Sequence, residues 1–157
     1  MIIASIAFVI LISAAVVQIV YLVSRRKRPD PFSHWLLMAA AALLFVTTVY
    51  RSILIEFVAL TNTFEALIFF SGVIAAVLAG YRIKAAGNSV QFILFGGTII
   101  ALILLAIASS PIASSEIAPP IPALQSHWLV LHVGFSFIGE AFFVVSFVAA
   151  ILYLAYK

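Results

Sequence analysis

His132 is the residue of this chain best suited to chemistry. It is the next-to-last residue of the run Pro-Ala-Leu-Gln-Ser-His-Trp-Leu-Val-Leu-His-Val, Pro122 to Val133, near the start of the last apolar segment. An imidazole near a membrane face can stay neutral and offer a ring-nitrogen lone pair to a metal, a haem iron included. The plainer alternative is a histidine that hydrogen-bonds a neighbouring helix. Glu140 follows about two helical turns deeper, ~80° round the same helix. A carboxyl at that depth is costly and needs a partner. It suits a proton relay, a hydrogen bond to a bound quinone or haem propionate, or a bond across helices.

Other polar residues lie at the ends of apolar runs. Arg51 and Glu56 end one run and Glu65 begins the next. Arg51 is expected either to pair with one of these acids, an exposed pair being worth only ~0–1 kcal/mol, or to meet a haem propionate with its guanidinium fork. His34 and Trp35 read as interface anchors, with a cytoplasmic-side haem entry ligand as the alternative for His34. Cysteine is absent, which excludes disulfides, thiolate metal sites and iron–sulfur ligation by this chain. No nucleophile–base set suggests an enzyme acting alone.

These residues must be held by helices in a membrane. The 157 residues are 66% hydrophobic and only 8% charged. An average soluble protein has about 25% charged residues. Long apolar runs, each close to the ~20 residues that cross a bilayer, separate a few polar stretches. They are continuous, whereas barrel strands are ~10 residues with alternating polarity. The fold expected is all-α: one polytopic transmembrane bundle over residues 1–157, with five spans at about 2–24, 34–55, 63–81, 90–108 and 126–156. Pro29 and Pro31 break the first junction. Ala86-Gly87-Asn88-Ser89 turns the chain between spans three and four. Pro111, Pro119, Pro120 and Pro122 fill the loop before span five. The first span lacks a basic leading region and a small-residue cleavage site, so it reads as a retained helix.

Charge sets the orientation. Arg25, Arg26, Lys27, Arg28, Arg82, Lys84 and Lys157 share one side, and only Arg51 lies on the other. By the positive-inside rule the N-terminus is outside and the C-terminus cytoplasmic. The net charge of +3 is thereby explained by topology and does not point to nucleic acid. His132 then lies toward the outer face, and Trp128 and Tyr153 fall near opposite interfaces. No internal repeat or broken-helix pair favours a transporter. The many phenylalanines, Phe69, Phe70, Phe137 and Phe143 among them, read as packing and lipid contact. Gly72, Gly96, Gly97, Gly134 and Gly139 mark expected close helix approaches.

The run Pro122–Val133 resembles the CcsA branch of the cytochrome c assembly proteins (CcsA/ResC/CcmC-like), which carry Pro-Ala-Leu-Gln-Ser-x-Trp-Leu-x-x-His-Val at the outer end of a span. Asn62-Thr-Phe-Glu65 is similar to that family's Asn-x-Tyr-Glu segment. The resemblance covers about Arg51 to Lys157. It implies a multi-pass protein of the inner (cytoplasmic) membrane that handles haem and presents it for attachment to apocytochrome c. It makes His132 an outward-facing axial ligand of a non-covalently bound b-type haem. Trp128 and Gln125 match motif positions, and His127 falls at a variable one. The family's tryptophan-rich WWD segment and a second outer histidine lie beyond the position of Lys157, so either a partner subunit supplies both, or the chain is a fragment, or it has lost haem handling. The alternative is a non-catalytic membrane subunit of a respiratory electron-transfer complex that binds quinone or serves as an anchor.

Overall fold

The computed structural model describes residues 2–24, 30–85, 88–155 and 157. The basic run Arg25–Arg28 with Pro29, Ala86–Gly87 of the second turn, and Tyr156 lie outside them. Among the described residues the architecture is all-helical. The helices are α1 (Ile2–Val23), α2 (Ser33–Leu54), α3 (Thr63–Lys84), α4 (Asn88–Ala108) and α5 (His127–Ala155), with a single 3-10 turn at Pro122–Leu124. All five long helices are apolar and long enough to cross a membrane. Helix α3 runs three residues beyond the expected end of span three, taking Arg82 and Lys84 into its last turn. Basic side chains there complement the negative end of the helix dipole.

Local chemistry sets the helix ends. Asn62 caps α3, its side-chain oxygen accepting from the Phe64 N–H at 3.2 Å. At the start of α2 the Asp30 carboxylate accepts from the Phe32 N–H at 3.0 Å and from the Ser33 N–H. Helix α2 stops at Glu56, whose φ of 55° is left-handed and incompatible with continuation. The loop after α4 holds the four remaining prolines, which cannot donate to a helical ladder.

Successive helices alternate in direction, and α3 is the hub, packed against α2, α4 and α5. The core is built from Leu11 of α1, Leu37 and Leu44 of α2, Ile68, Ile74 and Leu78 of α3, and Leu94 of α4, each at most 1% exposed. Small residues let these helices close in. A Cβ added to Gly97 would stand 2.7 Å from the Leu78 side chain, and one on Gly72 3.2 Å from Leu44 Cβ. Gly96 similarly receives the Val148 side chain, docking α5 on α4. Gly134 and Gly139, also expected at close approaches, meet nothing within 4 Å.

Helix α5 is the exception to this packing. Ala141 is its one buried residue, against ten in α3. It is held by the Val148–Gly96 contact and by Phe137, which stacks on Phe70 at 5.1 Å and lies 6.1 Å from Phe69. Its remaining faces look outward.

At the end of the bundle where α1 meets α2 lies a polar cluster that hydropathy alone did not mark. Asp30, Ser33 and Gln18 are fully buried, and Gln91 nearly so. The Gln91 amide donates to Asp30 Oδ2 at 2.9 Å and to the Gln18 main-chain oxygen at 3.3 Å. Arg82 donates through Nε and Nη2 to the Asp30 carbonyl, at 3.2 and 2.9 Å. Asp30 is thus bound to α3 and α4, and Gln91 links α4 in turn to α1. The Gln18 side chain itself has no hydrogen-bond partner at either amide atom among the described residues. A buried amide without partners costs more than it returns. Gln18→Leu is therefore expected to raise stability by about 1 kcal/mol, read as a higher melting temperature of the detergent-solubilised chain. A lower melting temperature would show that the amide is satisfied by water.

Candidate functional site

The opposite end of the bundle holds the residues singled out in the sequence. Their positioning begins with Arg51, in the last turn of α2. It is 6% exposed, and it pairs with Glu65 of α3, itself 3% exposed. Nε and Nη2 donate to Glu65 Oε1 at 3.1 and 3.0 Å. Nη1 donates to the Ser115 carbonyl at 3.1 Å and Nη2 to the Glu116 carbonyl at 3.0 Å. The guanidinium also lies 4.8 Å from the centre of the Phe64 ring. Four of its five N–H groups are thereby used inside the protein. Of the two acids considered for Arg51, Glu65 is the partner, and Glu56 is exposed. The expectation of a weak, exposed pair is corrected: the pair is buried, because α2, α3 and the loop after α4 close over it.

Asn62 reaches the same loop. While its oxygen caps α3, its Nδ2 donates to the Ser114 carbonyl at 3.1 Å. Asn62 therefore holds the Ser114 carbonyl directly, and Glu65 acts on Ser115 and Glu116 through the Arg51 that it positions. This gives the Asn62–Glu65 segment a physical task that its spacing alone did not reveal. The loop then turns through the Pro122–Leu124 3-10 turn into α5. Gln125 donates from Nε2 to the Pro120 carbonyl at 2.8 Å, and its N–H to Pro122. Its side chain thus braces the turn that leads into the helix. His127 opens α5 with its ring edge-on to Phe57 at 5.7 Å, which ties the helix start to the α2–α3 loop.

His132 follows within the second turn of α5. It is exposed, and it has no hydrogen-bond or ion-pair partner among the described residues. The same is true of Glu140 near the middle of the helix. Trp128, one turn before His132, is 82% exposed. Arg51 and Glu65 are thus brought together and buried, whereas Trp128, His132 and Glu140 lie along the outer side of α5. His34 is in the first turn of α2, at the other end of the bundle, beside Trp35. No group of three or more His, Asp or Glu side chains converges on a metal position among the described residues. One imidazole with free nitrogens, held at the start of a braced helix, can supply a single ligand to an iron whose other contacts come from elsewhere.

No family model matches the chain, and no solved structure is similar to it. Two curated proteins named cytochrome c biogenesis protein CcsA, from two strains of the alga Heterosigma akashiwo, are each 31% identical over 103 residues. The match covers 63% of this chain and spans about a third of the relatives' length, 30% of each. The chain is thus distantly related to the cytochrome c biogenesis protein CcsA.

Proposed function

We propose that this chain is a membrane subunit of cytochrome c biogenesis that handles haem at the outer face of the inner membrane, with His132 as one axial ligand. The observation that carries the reading is the His132 imidazole. It is exposed, free of hydrogen bonds among the described residues, and set in a stretch similar to the CcsA pattern. The residues fit a half-site. His132 would hold the iron on one side, and Trp128 would lie one turn above it. Bound haem would supply a porphyrin iron whose ligation sets its redox behaviour. Arg51 has four N–H groups committed to Glu65 and to the loop, so its part is to hold the loop that aims α5. His127 rests against Phe57 and is not assigned a ligand role.

A WWD-type segment and a second histidine would complete the haem site in this reading, and apocytochrome c would receive the haem. Similarity over a third of CcsA supports the biogenesis role. The orientation that fits places Arg82, Lys84 and Lys157 in the cytoplasm and the Arg51–Glu65 end outside.

The test is spectroscopic. The chain purified with its native membrane partners should show a Soret band. His132→Ala should lower its intensity at least fivefold or shift it, with protein levels and helical content unchanged. His34→Ala and His127→Ala should leave it in place. A Soret band indifferent to His132→Ala would overturn the assignment.

A further inference from the structure

Past the Phe70–Phe137 stack, α3 and α5 do not close on each other. A cavity of about 320 Å³ lies between them toward the Lys84 end of α3, within the ~300–1,000 Å³ range of ligand sites. Its α3 wall is Val77, Gly80, Tyr81 and Lys84, positions i, i+3, i+4 and i+7 of one helical face. Its α5 wall is Phe142 and Val145. Gly80 keeps it open, since a Cβ built there meets nothing within 4 Å. From Val77 to Lys84 the wall runs roughly 10 Å along the axis, at ~1.5 Å per residue. The lining is apolar except at the end of α3, where the Lys84 ammonium and the Tyr81 hydroxyl stand. Lys84 is exposed, and neither group has a hydrogen-bond or ion-pair partner among the described residues. The acid of this end, Asp30, is fully buried, and its carboxylate already accepts from Ser33 and Gln91. By contrast, a cavity of about 280 Å³ beside Arg51 has its cation neutralised by Glu65.

We propose that the α3–α5 cleft binds one anionic phospholipid, with its phosphate on Lys84 and Tyr81 and one acyl chain along Val77, Gly80, Phe142 and Val145. Helix α3 ends at Lys84, so the ammonium stands at the depth of the head groups. A tyrosine suits the same interface, and basic residues between helices at a membrane edge recognise anionic head groups. Charge complementarity selects the lipid class. The amine of a zwitterionic lipid finds no free carboxylate among the described residues of this end. A free phosphate would use the cation and leave the apolar length of the cleft empty. A transmembrane helix, ~10 Å across, takes roughly 800 Å³ over that length, more than twice the room. This site does not depend on the haem reading.

The chain purified with its native membrane partners, stripped of lipid in mild detergent, tests the site by native mass spectrometry. The probes are phosphatidylglycerol and phosphatidylcholine with identical chains. One phosphatidylglycerol should bind per chain, about fivefold more tightly than phosphatidylcholine, the effect of one lysine beside an anionic head group. Lys84→Gln should abolish the preference, and Lys84→Arg should retain it. Gly80→Leu, whose side chain enters the cleft, should weaken both lipids at least fivefold with helical content unchanged. Lys157→Gln, outside the cleft, should change neither. Equal affinity for the two lipids, a preference indifferent to Lys84→Gln, or binding indifferent to Gly80→Leu would each overturn the proposal. So would displacement by glycerophosphate, which carries the anion without the chains, or a complex whose partner leaves no lipid bound. His132→Ala should leave lipid binding intact, so failure of the haem site and failure of this one are read separately.

Discussion

Arg51→Leu is expected to destabilise the bundle by about 3–5 kcal/mol, the cost of stranding one member of a buried ion pair. The substitution leaves Glu65, 3% exposed, without its guanidinium, and leaves the Ser115 and Glu116 carbonyls without their donors. For a chain of this length such a loss lowers the melting temperature by roughly 10 °C. Circular dichroism of the purified variant in mild detergent would show it. Glu65→Leu should cost a similar amount, since it strands the cation instead. The double variant should recover much of the loss, because two apolar side chains remove both unpaired charges, although the loop carbonyls stay unsatisfied. Single variants within 1 kcal/mol of the parent would mean that water reaches the pair and that the loop does not seal it.

This pair also shows where the sequence is readable and where it is not. Opposite charges at the facing ends of two spans are visible in one dimension, so a partnership of Arg51 with Glu65 or Glu56 could be anticipated. The burial could not, because it depends on the carbonyls of Ser115 and Glu116, main-chain groups without any signature in residue type. The five helices were legible for a simple reason: each apolar run is near the length of a bilayer crossing, and prolines punctuate the junctions. The weak packing of α5 was not. Its hydropathy resembles that of its neighbours, and apolarity does not distinguish a surface that meets lipid from one that meets another helix. His132 and Glu140 could be singled out by type and depth, but only the fold shows that nothing within the described residues answers them. The polar cluster at the other end was missed, although Asp30 three residues before Ser33 is a helix-start pattern. Gln18 and Gln91 are single amides in long apolar runs, and nothing in their spacing says that they lie at the same depth.

Asp30→Ala is the second substitution expected to have a large effect, about 3 kcal/mol. The carboxylate serves four donors: the Phe32 and Ser33 N–H groups, the Ser33 hydroxyl at 2.7 Å and the Gln91 amide at 2.9 Å. Loss of a cap costs about 0.5–2 kcal/mol, and a stranded buried donor about 1–3 kcal/mol. The terms overlap, since Ser33 can rotate its hydroxyl toward another acceptor, and their full sum is not expected. Asp30→Asn should cost less than half as much. Its amide oxygen still accepts from the helix start, while its NH2 group faces either the Gln91 amide or the Ser33 N–H, donor against donor. A double-mutant cycle with Gln91→Leu isolates the bond between α4 and the loop, and a coupling of about 1 kcal/mol is expected for neighbours in one network. Additive effects would show that Asp30 acts only as the cap of α2. Asp30 is the one acid at the end of the bundle that carries Arg82 and Lys84, and through its carbonyl and carboxylate it ties the start of α2 to the basic end of α3 and to α4.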